Sequence, residues 1–230
     1  MSKHLQRDLE SLERQILSQA AIVEEMIQKA SRALREIRPE MVSEVIERES
    51  LVDQQEVLIE EACLKILALH QPVAVDLRRT ATILKINNDL ERIADLAVNI
   101  AERAQSISRH PGLVVPEALD RMVWITVSMV RDALDALVNL DVATAREVCI
   151  RDEEVDALNR DVIDITRQVM HSQPELIEGA LHLFSAARHI ERIADHATNI
   201  AEDVVYLVAG EIARHKHDLD PHKHDLDPIV

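Results

Sequence analysis

One twelve-residue phrase occurs twice in this chain of 230 residues, with its copies one hundred positions apart. Glu91-Arg92-Ile93-Ala94-Asp95-Leu96-Ala97-Val98-Asn99-Ile100-Ala101-Glu102 returns as Glu191-Arg192-Ile193-Ala194-Asp195-His196-Ala197-Thr198-Asn199-Ile200-Ala201-Glu202. Only Leu96/His196 and Val98/Thr198 differ. A repeat of this length and separation implies two copies of one structural unit. Within each copy the spacing is chemical: a carboxylate, another four residues on, and an amide four beyond that. On a helix these side chains share a face. Like charges so placed cost a few tenths of a kcal/mol in an isolated helix, and both copies keep them. The arrangement invites a cation.

Pro and Gly mark where the apolar periodicity stops. A first helix is expected over roughly residues 3 to 36, with Pro39 opening a second. His70-Gln71-Pro72 separates the second from a third that ends near Ser108. His110-Pro111-Gly112-Leu113-Val114-Val115-Pro116 is the strongest linker signal. A fourth helix runs to about Leu140, and Asp141 is a natural N-cap for the fifth. Ser172-Gln173-Pro174 precedes a sixth that ends around Gly210. With only three Gly and a single Phe, Tyr and Trp, the core is built of Leu, Ile, Val and Ala, which suits helix-on-helix packing. The expected fold is all-α: two tandem three-helix bundles, six long helices in all, related by internal duplication. Residues 1–109 form the first repeat, 110–116 the linker and 117–210 the second repeat. Residues 211–230 contain His215-Lys216-His217-Asp218-Leu219-Asp220-Pro221 and its immediate duplicate, a His-rich tail expected to be disordered, its metal affinity adventitious.

The halves also align outside the phrase. Glu49-Ser50-Leu51-Val52-Asp53 corresponds to Asp152-Glu153-Glu154-Val155-Asp156, again acids four residues apart. At 100° per residue, Glu91, Asp95, Asn99 and Glu102 fall in an arc of roughly 80°, opposite the apolar positions, on an outer face of the bundle. The Glu49/Asp53 pair lies about 21 residues before Pro72 and the Glu91/Asp95 pair about 21 after it, so an antiparallel hairpin sets them at one height. Asp152/Asp156 and Glu191/Asp195 are level-matched in the same way about Pro174. Carboxylates and an amide are hard oxygen donors, suited to divalent or trivalent Mg, Mn, Fe or Zn ions. Glu-x-x-His, the spacing used by oxygen-activating di-iron bundles, does not occur. Arg92 and Arg192 offer local ion pairs, while His196, opposite Leu96 in the other copy, reads as peripheral. His70, His171, His182 and His189 read as turn or surface residues.

Net charge is −16, which argues against nucleic acid and against adsorption to an anionic membrane. Every longer apolar stretch is cut by a charge, so no membrane insertion is expected. The start, Met1-Ser2-Lys3-His4-Leu5-Gln6-Arg7-Asp8, has no apolar h-region, and a cytoplasmic location follows as the expectation. Cys63 and Cys149 lie in amphipathic patterns and read as buried thiols rather than a disulfide. Catalytic signatures are missing: there is no Gly-rich phosphate loop, no dinucleotide fingerprint and no nucleophile triad, so the chain is not expected to be an enzyme.

The stretch Asn88-Asp89-Leu90 followed by the phrase at Glu91–Glu102, and its copy after His189-Ile190, closely resemble the PhoU family, with similarity over roughly residues 5 to 210. Leu96 stands where the family often has His. The resemblance implies a cytoplasmic protein that binds multinuclear metal clusters through Glu/Asp-x-x-x-Asp motifs. These would be Glu49, Asp53, Glu91 and Asp95 in one half and Asp152, Asp156, Glu191 and Asp195 in the other, with Asn99 and Asn199 as additions. It further implies a negative regulator of the phosphate-starvation response. That regulator couples a phosphate ABC transporter's ATPase subunit to a phosphate-sensing histidine kinase. A homodimer is expected. The alternative is a metal-storage or buffering bundle using the same acids without a protein partner; a metal-dependent phosphohydrolase ranks third.

Overall fold

In a computed structural model of the protein, residues 3–210 are described, and among them every regular element is helical. The elements are α1 (Lys3–Glu36), α2 (Val42–His70), α3 (Ala74–Ile107), α4 (Glu117–Asn139), α5 (Val142–Ser172) and α6 (Ile177–Ala209). The prolines act as the sequence suggests, with one refinement. Pro39–Met41 and Pro174–Leu176 each form a single 3₁₀ turn before α2 and α6 begin. Proline lacks the N–H a helix interior needs, yet its fixed φ suits a first turn. The His-rich tail lies outside the described residues.

The duplication extends to how the helices end. Ile37 and Leu140 both adopt positive φ, at 50° and 53°. Beyond each, the chain turns back by the same bond: Arg38 N–H donates to Ala33 O at 2.9 Å and Asp141 N–H to Ala136 O at 3.0 Å. This is a Schellman closure, made here with branched residues at the strained position in place of glycine. Asp141 then caps α5, its carboxylate accepting from the backbone N–H groups of Ala143 and Thr144. The Thr144 hydroxyl, donating at 2.8 Å, together with those backbone bonds holds its pKa below the usual carboxylate value.

Helices α1, α2 and α3 form one three-helix bundle, and α4, α5 and α6 the other. The bundles lie side by side with α3 packed along α6, and α1 touching α4. Cross-seam contacts pair Lys85 with Asp203, Asp89 with His196 and Arg103 with His182, so α3 and α6 run antiparallel. Ala94, Ala97 and Ala101 of α3 and Ala194, Ala197 and Ala201 of α6 are all buried, small residues that let neighbouring helices pack closely. The buried apolar residues of both halves join in one continuous core. The connecting segment is itself packed: Leu113 is buried, and a Cβ added at Gly179 would meet the His110 side chain at 3.0 Å, so a larger residue at the start of α6 would have to push His110 aside. Cys63 and Cys149 are free thiols, both pushed well up by burial, to about 11 and about 12.

Candidate metal centre

The acids sit where the heptad-like packing of each hairpin turns outward. Ile93, Ala94, Ala97 and Ile100 of α3 are buried, and so are Ile193, Ala194, Ala197 and Ile200 of α6. Glu91 and Asp95, one turn apart between these apolar positions, are consequently set at the edge of the groove between α3 and α2. Val52 of α2 and Val155 of α5 are fully buried. This orients the neighbouring Glu49/Asp53 and Asp152/Asp156 pairs toward the same grooves.

In the first half, acids from both arms of the hairpin act on one another. Glu49 of α2 is raised above the usual carboxylate range by burial, then by Asp53 on its own helix and by Asp95 and Glu102 across the groove. Glu91 is raised by burial and by Asp95, with Glu56 and Asp53 of α2 adding to the effect against the lowering influence of Arg92. Arg92 reaches both neighbours, Nε lying 3.3 Å from Glu91 and Nη1 3.4 Å from Asp95.

The second half is more strongly perturbed. Asp152 of α5 is pushed up to about 6, first by burial and then by Asp195, Asp156, Glu191 and Glu153. Asp195 is raised by burial and Asp156, and Glu191 by burial and Asp195. Arg192 makes no ion pair here among the described residues; Arg188 takes that role, 2.8 Å from Glu191. Only one oxygen of Glu191 is satisfied by it. The other, Oε2, is buried and has no hydrogen-bond partner.

A crowded set of carboxylates with an orphaned buried oxygen is the donor chemistry a hard cation satisfies. As the side chains stand, no three His, Cys, Asp or Glu among the described residues are spaced to grip an ion. Coordination would therefore need these carboxylates to rotate inward from rigid helices, displacing Arg92 and Arg188. The two amides are placed differently from the acids. Asn99 Nδ2 donates to the backbone oxygen of Asp95 at 2.9 Å. Asn199 Nδ2 turns across the seam toward Asp89, at 3.3 Å, and so away from the acids of its own hairpin.

Several neighbours of the site went unselected in the sequence. Glu102 acts on Glu49, and its membership in the repeated phrase was the available signal. Glu56 and Glu153 carried none. His196, read as peripheral, bonds Asp89 of the other half at 2.8 Å. His70, read as a turn residue, lies 3.0 Å from Asp8.

Comparison with known proteins follows the same two-part division. The family model described as the PhoU domain matches twice, over residues 16–104 and 119–204. A phosphate-specific transport system accessory protein PhoU homolog from Aquifex aeolicus is 39% identical over 152 residues, which are 66% of this chain and 69% of that protein. The phosphate-specific transport system accessory protein PhoU of Escherichia coli is 34% identical over 177 residues, 74% of this chain and 71% of that one. Among solved structures, PhoU from Pseudomonas aeruginosa superposes with a TM-score of 0.86 at 33% identity, covering 90% of this chain and 99% of its own.

Proposed function

The chain belongs to the PhoU family, and from that premise we propose that it is a non-enzymatic accessory regulator of phosphate uptake that uses bound metal. It acts as a negative regulator of the phosphate-starvation response, docking on the ATPase subunit of a phosphate ABC transporter and on a phosphate-sensing histidine kinase. A homodimer in the cytoplasm is part of this proposal. Among the described residues no helix is long and apolar enough to cross a membrane.

The observation that carries the metal is the duplicated, level-matched set of acids whose members raise one another's pKa across each hairpin. Glu49, Asp53, Glu91 and Asp95 would hold ions in one half, and Asp152, Asp156, Glu191 and Asp195 in the other. Bound ions would neutralise the clustered charge and lock α2 to α3 and α5 to α6. That rigidity supplies two fixed faces for docking without any chemical turnover.

Pull-down with detergent-solubilised transporter and kinase, with and without chelator, tests the proposal. Chelator-sensitive retention of either partner supports it. A metal-loaded protein that retains neither favours metal storage instead, and turnover of a phosphate ester abolished by Asp95→Ala would make it a hydrolase.

A further inference from the structure

The single Trp of this chain, Trp124, lies on α4 with 72% of its surface exposed. Its position has no apolar role in the duplicated half. The offset that relates Ile37 to Leu140 relates Trp124 to Ala21, which is likewise exposed. A large aromatic kept in water where the copy has alanine is the side-chain type that anchors protein interfaces.

Trp124 forms one lip of a groove of about 460 Å³ between α1 and α4, walled by Arg32, Arg35 and Arg131, with Val123 and Val127 below. Its lining sets these three arginines against one acid, Glu36, in a chain of net charge −16. Glu36 is shared, Arg32 at 2.9 Å and Arg38 at 2.8 Å, and Arg35 has no carboxylate within ion-pair distance among the described residues. Arg131 is held by Glu24 at 3.0 Å. On the other side of Trp124, facing α5, charges are matched instead: Arg121 with Glu154 at 3.0 Å, Arg151 with Asp132 at 2.6 Å. At the positions that duplicate Arg32 and Arg35 stand Asp135 and Val138, so these two arginines are not part of the repeat.

We propose that the Trp124 groove docks an acidic segment of a partner protein that carries an apolar anchor residue. The apolar residue would cover the indole and the valines, and the carboxylates would meet Arg35 and Arg32. A second copy of the chain fits poorly: a two-fold contact here would set arginines against arginines. The groove shares no residue with the carboxylate clusters, and the proposal stands whether or not those bind metal.

Because the chain has one Trp, its fluorescence reports binding on either side of Trp124, and charge reversal at Arg35 and Arg131 assigns the signal to this groove. The probe is a short synthetic peptide of glutamates and alanines with a leucine pair, titrated into the full-length protein. The same peptide with lysines for glutamates is the control. Expected is a saturable blue shift with the acidic peptide alone, its affinity weakened at least about tenfold in the R35E/R131E variant, with unchanged helical circular dichroism. No shift, an equal shift with the lysine peptide, or a shift that survives charge reversal would overturn the proposal. So would a blue shift of peptide-free protein on raising its own concentration, which would assign the groove to a second copy.

Discussion

His196 Nδ1 lies 2.8 Å from Asp89 Oδ1 across the seam between α3 and α6, joining two duplicated halves through a pair that the duplication itself does not contain. At the related positions stand Leu96 and His189. Asp89 is 7% exposed and takes a second bond from Asn199 at 3.3 Å. With Nδ1 protonated, His196 donates to the carboxylate, and the seam gains a polar lock that sets which faces of the central helices meet.

His196→Leu restores the residue of the other copy and removes the stronger of the two donors to Asp89. The expected loss is about 1–3 kcal/mol, the cost of leaving a buried acceptor short of a partner. In urea denaturation the midpoint should fall with little change in slope. The double variant His196→Leu/Asp89→Asn should recover part of the loss.

The clustered carboxylates oppose folding when no metal is present. Asp152→Asn removes a charge that Asp195, Asp156 and Glu191 repel. In chelator-treated protein its Tm should therefore rise by about 2–4 °C, the shift expected of about 1 kcal/mol in a chain this size once solvent screening is allowed for. With metal added the order should reverse, since the variant has lost a ligand. Calorimetry with and without chelator reads both signs.

The same repulsion fixes a pH dependence. Asp152 titrates at about 6 in the fold, above its ordinary value of 3.8. Between those values the folded chain binds more protons than the unfolded one, so stability falls as pH rises through that window. Glu49, Glu91, Glu191 and Asp195 are displaced in the same direction. His182 and His189, held below their ordinary value by burial, act in the opposite sense over part of this range, so the test compares how far metal-free wild type and Asp152→Asn each change in melting temperature from pH 5 to pH 7. The fall should be smaller in Asp152→Asn.

Both thiols should react slowly with a disulfide reagent at pH 8 in the native state. Cys63 has no exposed surface, and burial raises it to about 11 and Cys149 to about 12. Counting reactive thiols with a chromogenic disulfide, before and after adding denaturant, checks this.

Much of the fold was legible because its signals are local. Pro39, Pro72, Pro174 and Asp141 punctuate the chain through backbone chemistry that needs no tertiary context, and helix ends fall within a few residues of them. The acid pairs were legible because duplication shows each twice. What escaped was long-range and asymmetric. Asp89 and His196 are 107 positions apart, and neither is repeated in the other half. Asn199 shares a helical arc with Glu191, yet its amide turns to the seam once α3 packs there. Sequence periodicity cannot tell a groove from an interface. The packed linker at Leu113 was also hidden, since Pro and Gly announce a break in helix and say nothing of burial.

Elemental analysis of the purified, untagged protein tests the central claim most directly, comparing the full chain, a truncation lacking residues 211–230, and Asp95→Ala/Asp195→Ala. Oxygen ligands contributed by both arms of each hairpin predict that metal survives truncation and disappears from the double variant, with helicity intact. Metal that leaves with the tail, or persists after both aspartates are gone, would contradict it.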